Sequence, residues 1–176
     1  MKSILAIGAS SSRTSINRKL ANYTANQVAD CMVELLDLND FEMPIYSVDK
    51  EEELGIPNEA LKFKKQIQDA DGIIISFAEH NGSYAAAYKN IVDWTSRIEG
   101  KLWEEKTLFL MATSPGDRGG QTVLASATSS YPHMGANVVS EFSLPSFYEN
   151  FSDEGINDET LKSAFETQLS KYIQNI

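Results

Sequence analysis

Three runs of the chain combine small, hydroxylic and glycine residues in patterns suited to holding an anion or a flat ligand. They are Gly8-Ala9-Ser10-Ser11-Ser12-Arg13-Thr14-Ser15-Ile16-Asn17, Ala78-Glu79-His80-Asn81-Gly82-Ser83 and Thr113-Ser114-Pro115-Gly116-Asp117-Arg118-Gly119-Gly120. In the first run, hydroxyl donors precede a helix expected from about Ile16, whose free N–H groups and dipole favour an anion such as phosphate. The same serines are equally described as a turn, Ser10 to Ser12, followed by a helix cap at Ser15. The run lacks the Gly-Lys-Ser/Thr of a Walker loop and is not a GxGxxG dinucleotide turn. In the third run, three glycines let the backbone approach a flat ligand closely and aim N–H groups at it.

Other chemistries find less support. The chain has two histidines, His80 and His133, and no GxSxG, so a Ser-His-Asp hydrolase is not indicated. Two histidines and one cysteine without ligand spacing argue against a metal site. Cys31 has no partner for an internal disulfide and reads as a buried strand residue. His80 is a candidate acid, although a loop histidine more often serves as a solvated or hydrogen-bonded group.

The elements that must position these runs follow from hydrophobic periodicity. Short apolar or β-branched runs at 3–8, 32–36, 72–77, 107–112 and 137–144 predict five buried strands. Helical patterns lie between them, including one over 84–98, and a last helix is expected after a cap at Asn157 or Asp158. Strict alternation of strand and helix implies a parallel sheet covered on both faces, an α/β three-layer sandwich of the flavodoxin-like order 2-1-3-4-5. In that order ligands gather at the carboxyl ends of the first, third and fourth strands, where the three runs fall. Together they could embrace one mononucleotide with a planar ring, and flavin mononucleotide (FMN) has that shape. Residues 37–57 form a long acidic connection that reads as a solvated loop. The segment 145–155, with Phe147, Tyr148 and Phe151, is too aromatic to be wholly solvated and is expected to cover a ligand or a neighbouring subunit.

At 176 residues, one domain spanning 1–176 is the expectation, and 42% hydrophobic with 23% charged residues suits a folded core. A net charge of −10 makes nucleic acid a poor partner, because such affinity comes mainly from Lys and Arg. The first apolar run is too short for a signal core or membrane span, so a cytoplasmic protein without membrane association is expected.

The sequence resembles the NADPH-dependent FMN reductase family, on three ordered motifs that span most of the chain. Ala9 to Asn17 is similar to that family's Gly-Ser-x-Ser/Arg-x-x-Ser-x-Asn phosphate loop; Ala78 to Trp94 is similar to Pro-Glu-Tyr-Asn-Gly-Ser-x-Pro-Gly-x-x-Lys-Asn-x-x-Asp-Trp; Ser114-Pro115-Gly116 with Gly119-Gly120 matches the third. The resemblance implies a flavodoxin-like fold, noncovalent FMN, and an NAD(P)H-dependent oxidoreductase that passes hydride through FMN to a flavin, quinone or similar small acceptor. It makes Ser10, Ser12, Ser15, Ile16 and Asn17 the phosphate grip, with Arg13 a phosphate or NADPH contact. Glu79, His80, Asn81 and Gly82 would line the flavin ring, while Ser114, Pro115, Gly116, Gly119 and Gly120 would meet the ring and ribityl chain. It also implies a homodimer or homotetramer formed through the helix that carries Tyr88 and Trp94. Departures at Ala78, His80 and Ala85-Ala86, where the family has Pro, Tyr and Pro-Gly, alter the face on which nicotinamide or acceptor stacks. Arg13 and Arg118 are cations that could meet a 2′-phosphate, and they do not decide between NADPH and NADH. The alternative functions are a flavodoxin-like electron carrier and a noncatalytic FMN-binding protein.

Overall fold

The computed structural model describes residues 1–176. Its centre is a five-stranded parallel sheet of β1 (Lys2–Ala9), β2 (Cys31–Leu36), β3 (Gly72–Phe77), β6 (Thr107–Thr113) and β7 (Asn137–Leu144), in the order β2-β1-β3-β6-β7. This is the expected 2-1-3-4-5 order. The strand numbers rise because a two-residue pair, β4 (Glu79–His80) and β5 (Ser83–Tyr84), forms a separate hairpin after β3. Helices α1 (Ile16–Asn26), α2 (Val48–Leu54), α3 (Asn58–Asp69), α4 (Ala86–Thr95), α5 (Gln121–Ser130), α6 (Phe147–Asn150) and α7 (Glu159–Ile173) complete the chain, with a second hairpin of β8 (Phe151–Ser152) and β9 (Gly155–Ile156).

β3 and β6 are buried at every residue, as their continuous apolar runs require of strands covered on both faces. The side-chain alternation of those strands divides the core in two. Leu5, Ile7, Ile73, Ile75, Leu108 and Leu110 pack with Phe63, Tyr88 and Ile91 from α3 and α4, whereas Ile4, Ala6, Ile74, Phe109 and Met111 pack with Leu20, Phe165 and Tyr172 from α1 and α7. Asp158 caps α7, its side chain accepting from Leu161 N at 2.8 Å.

Four expectations are corrected. The acidic stretch 37–57 is not simply a loop: it holds a 3₁₀ turn at Leu38–Phe41 and then α2, capped by Ser47, which accepts from Lys50 N at 3.2 Å. α2 buries none of its residues, so it leaves no apolar periodicity in the sequence. The helix expected over 84–98 starts at Ala86 and ends at Thr95, because Ser83 and Tyr84 return as β5. Cys31 opens β2 half-buried, and desolvation followed by the neighbouring Asp30 charge pushes its thiol pKa up. Tyr88 and Trp94 do not present an exposed apolar face. Both are buried within the chain, Tyr88 at 2.5 Å from the Tyr131 hydroxyl and Trp94 donating from Nε1 to Pro44 O at 2.7 Å.

Candidate functional site

The carboxyl ends of β1, β3 and β6 enclose a cleft of about 320 Å³. Ser10, Ser12, Thr14, Ser15, Ile16 and Asn17 form one wall, Ala78, Glu79 and His80 a second, and Thr113, Ser114 and Pro115 a third, with Tyr148 at the margin. Two larger grooves, about 770 Å³ between β2 and α3 and about 630 Å³ between α5 and α7, bring together no comparable donor set.

The serine-rich wall owes its shape to a few local bonds. Ser10 N donates to Gly8 O at 2.7 Å, Ser12 N to Ser10 Oγ at 3.2 Å and Ser15 N to Ser12 O at 3.1 Å. Ser15 is the N-cap of α1 and accepts from Arg18 N at 3.1 Å. The N–H groups of Arg13, Thr14, Ile16 and Asn17 then find no acceptor within the protein. Hydroxyls and free N–H groups are all donors to a phosphate monoester, and Ser10 to Asn17 includes no carboxylate. The donor set therefore fits a phosphate, and the cap and anion readings of Ser15 are compatible: its oxygen accepts from Arg18 N while its proton remains available.

The Asn17 side chain also has a structural task. It is buried: Nδ2 donates to Thr113 O at 3.1 Å, and Oδ1 accepts from Thr113 N at 3.1 Å and from Ser76 Oγ at 2.7 Å. It ties the start of α1 to the ends of β3 and β6. Sequence reasoning missed Ser76 and Thr113 as partners, since a strand serine and a strand threonine carry no signal of their own. Arg13 is exposed and points toward a separate depression on the outer side of α1.

The Asn81-Gly82 pair is explained by the hairpin. With φ of 52° and 74°, both residues are left-handed between the paired His80 and Ser83, the geometry a two-residue hairpin needs and Asn-Gly supplies at least strain. The pair forms the exposed tip, and Glu79 and His80, rather than Asn81 and Gly82, line the cleft. Glu79 anchors the hairpin to α5: its Oε2 accepts from Val123 N at 2.9 Å, the third residue of that helix, where a carboxylate also meets the favourable end of the dipole. His80 is exposed, with no hydrogen-bond partner among the protein's side chains. Tyr84 turns inward, its ring packed against Phe77 at 5.6 Å and Tyr131 at 6.4 Å, so it is not part of an open stacking face.

In the third wall, Ser114 and Pro115 reach the cleft, whereas Gly119 and Gly120 are buried beside it. A Cβ on Gly120 would lie 2.9 Å from Ala112 Cβ, and one on Gly119 would lie 2.5 Å from Ser143 Oγ, so these glycines serve the seating of α5 on β6 and β7. Gly116 faces open space. Its carbonyl accepts from Ser146 N at 2.8 Å while Ser114 O accepts from Phe147 N at 3.0 Å, which pins α6 to the loop and places the exposed Tyr148 at the cleft.

With that geometry, the comparisons with known proteins converge. Residues 2–149 match the model of the family described as NADPH-dependent FMN reductase. The chain belongs to the NADPH-dependent FMN reductase family. It is 36% identical over 109 residues to a 2-hydroxy-1,4-benzoquinone reductase of Burkholderia sp, a match that covers 61% of this chain and little more than half, 57%, of that relative. It is 30% identical over 145 residues to an uncharacterised protein of Mycoplasma pneumoniae, covering 80% of this chain and 85% of the other. Among solved structures it superposes on FerB, a flavoenzyme NAD(P)H:(acceptor) oxidoreductase from Paracoccus denitrificans, with a TM-score of 0.79, 23% identity, and coverage of 99% of this chain and 96% of that one. That likeness confirms the flavodoxin-like fold. No helix is long and apolar enough to cross a membrane, and no group of three or more His, Cys, Asp or Glu residues could hold a metal ion.

Proposed function

We propose that this chain is an FMN-dependent NAD(P)H oxidoreductase acting on a quinone, flavin or similar small acceptor, with 1–176 as one FMN-binding domain. The observation that carries the reading is the all-donor wall at the start of α1, facing two loops across one cleft, in a chain of this family. In this proposal Ser10, Ser12, Thr14 and Ser15, with the N–H groups of Arg13, Thr14, Ile16 and Asn17, hold the FMN phosphate. Ser114, Pro115, Glu79 and His80 border the ring; Asn81 and Gly82 shape the hairpin, and Gly119 and Gly120 seat α5. When bound, FMN would supply the redox chemistry, hydride acceptance from a nicotinamide and two-electron reduction of an acceptor. The chain's part is to fix the cofactor, leave one opening for both partners, and aim donors where negative charge grows.

His80 is proposed as a residue that sets acceptor preference. The quinone chemistry in the Burkholderia relative's name supports a small flat acceptor. The electron-carrier and noncatalytic alternatives gain no support from the family or from the relatives cited. Self-association as a homodimer or homotetramer belongs to the same proposal. It now rests on Ile45, Val48 and Leu54, which are 80%, 60% and 58% exposed within one ten-residue stretch, rather than on Tyr88 and Trp94.

Purified protein is expected to be yellow, to release FMN and not FAD on heating, and to bleach rapidly on mixing with NADPH or NADH. Because donor and acceptor share one opening, parallel double-reciprocal lines are expected with a quinone. A colourless protein that ignores added FMN sinks the reading, and a long-lived one-electron state with slow bleaching would favour an electron carrier.

A further inference from the structure

Of the chain's Phe, Tyr and Trp side chains, Tyr148 alone is exposed, at 72%. The residues around it show that this exposure is not the looseness of a surface loop. Ser146 N donates to Gly116 O at 2.8 Å, Phe147 N to Ser114 O at 3.0 Å, and Asn150 Nδ2 to Pro145 O at 2.9 Å. Phe147 is buried and stacked on Phe151 at 4.8 Å, and Phe151 meets Tyr23 of α1 edge-on at 5.3 Å. Ser146 has φ of 46° and ψ of 59°, a left-handed conformation that a non-glycine residue keeps only where its surroundings over-determine it. The turn is therefore fixed, while the ring it presents meets only the edge of Phe147 among the chain's aromatic rings, at 5.6 Å and 87°.

That ring stands at the margin of the cleft enclosed by the serine wall, the hairpin and Ser114-Pro115. The cleft is rich in donors and short of apolar surface: apart from Tyr148, only Ile16, Ala78 and Pro115 bring apolar side chains to it. Tyr84 is packed inward against Phe77 and Tyr131, and His80 stands where the resembling motif has Tyr. Hydroxyls and N–H groups suit a phosphate, whereas a flat, carbon-rich ligand gains from a large ring that gives up its water on contact. Tyr148 follows β7, the last strand of the sheet, and so lies outside the three strand-end runs read as ligand-binding from the sequence. We propose that Tyr148 is a further cofactor-binding residue, whose ring packs against the uncharged part of bound FMN, the flavin and its ribityl stem, and adds affinity through that contact and not through its hydroxyl. The inference rests on the FMN-binding reading given above.

Titration of the apo protein with FMN and with riboflavin, followed by the change in flavin fluorescence, tests it in the parent, Tyr148→Ala and Tyr148→Phe. Tyr148→Ala is expected to lower FMN affinity by about tenfold or more, as loss of a packed aromatic ring does. Tyr148→Phe keeps the ring and should stay within about twofold of the parent. Riboflavin lacks the phosphate but keeps the packed portion, so Tyr148→Ala should lower its affinity by the same factor. Because the side chain is exposed, the apo melting temperature should not change, which separates lost affinity from lost folding. Parent-like FMN binding by Tyr148→Ala overturns the proposal, and a raised KM for a quinone beside it would assign the ring to the acceptor instead. An equal loss in Tyr148→Phe overturns it in favour of the hydroxyl, and a loss confined to FMN, with riboflavin unaffected, overturns it in favour of a phosphate contact. A change in sedimentation with FMN affinity intact would place Tyr148 at a subunit contact and also overturn it. A parent protein that binds no FMN defeats the cofactor reading and this proposal together, whereas FMN binding that is indifferent to Tyr148 defeats this proposal alone.

Discussion

Ser15 and Asn17 sit two residues apart, and their chemistry separates ligand binding from folding. Ser15 accepts from Arg18 N as the α1 cap and keeps a hydroxyl proton for an anion. Replacing it by Asp preserves a strong cap acceptor but removes the donor and puts a negative charge beside the proposed phosphate. Ser15→Asp is thus expected to melt within about 0.5 kcal/mol of the parent in the apo form and to lose FMN affinity by more than about tenfold. Equal FMN affinity would remove Ser15 from the phosphate grip. Asn17→Ala acts through the opposite route: it strands Ser76 Oγ and the N–H and C=O of Thr113 in a buried setting. A cost of about 2 to 4 kcal/mol in urea unfolding is expected, since a buried group without its partner loses its full desolvation energy. A change below about 1 kcal/mol would show that the three-way tie is dispensable.

The connection before β6 shows how an element is fixed by one buried charge. Lys64 of α3 is almost fully buried, donates to the carbonyls of Lys101 and Leu102, and pairs with Glu104 at 2.5 Å. Hydrogen bonds from Lys64, then from Gln68, hold the Glu104 carboxyl below its ordinary 4.5. A lowered folded value means that this stabilisation is present above the unfolded pKa and is lost as pH falls through the folded one. Glu104→Gln is therefore expected to cost about 1 to 2 kcal/mol at pH 7, discounted because Glu104 is a third exposed, and the difference from the parent should fade at pH 3. A deficit that persists undiminished at pH 3 would point to packing instead. This lock was invisible in the sequence, where Lys64 is one position in an amphipathic helix, as was α2, which buries nothing. The centre of the sheet was legible because strands buried on both faces must be uninterrupted apolar runs, whereas β2 and β7, expected as buried strands, are partly exposed sheet edges. The three cleft walls were legible because the strand order puts ligand chemistry at strand ends. The roles inside the walls were not: that Asn81-Gly82 turns a hairpin depends on two residues of β5 pairing that no periodicity announces.

For the whole molecule, two electrostatic effects oppose each other as pH falls. With a net charge of −10 and a pI near 4.6, the native chain repels itself at neutral pH, and protonation of ordinary surface carboxylates relaxes that repulsion on the way to the pI. Asp37, Glu51, Asp71 and Glu104 behave differently, because their native contacts hold them ionised below the usual range. The leading causes are the Asn39 N–H for Asp37, the Tyr46 hydroxyl for Glu51, the Ser3 N–H for Asp71 and Lys64 for Glu104. At these four sites the unfolded chain binds protons first, from 4.5 for the glutamates and 3.8 for the aspartates downward, so stability is lost there as pH drops. The melting temperature of the protein is accordingly expected to rise or stay level from pH 8 to about 5 and to fall below about pH 4. Added salt distinguishes the two parts: ionic strength of about 0.5 M shortens the Debye length to a few ångströms and should flatten the neutral-side slope. The acid-side loss should survive it, because short hydrogen bonds from Asn39, Ser3, Tyr46 and Lys64 are screened far less than distant surface charges. Thermal melts followed by circular dichroism at two salt concentrations across pH 3 to 8 test both statements, and a melting temperature that keeps rising below pH 4 would mean that self-repulsion outweighs the four anchored carboxylates.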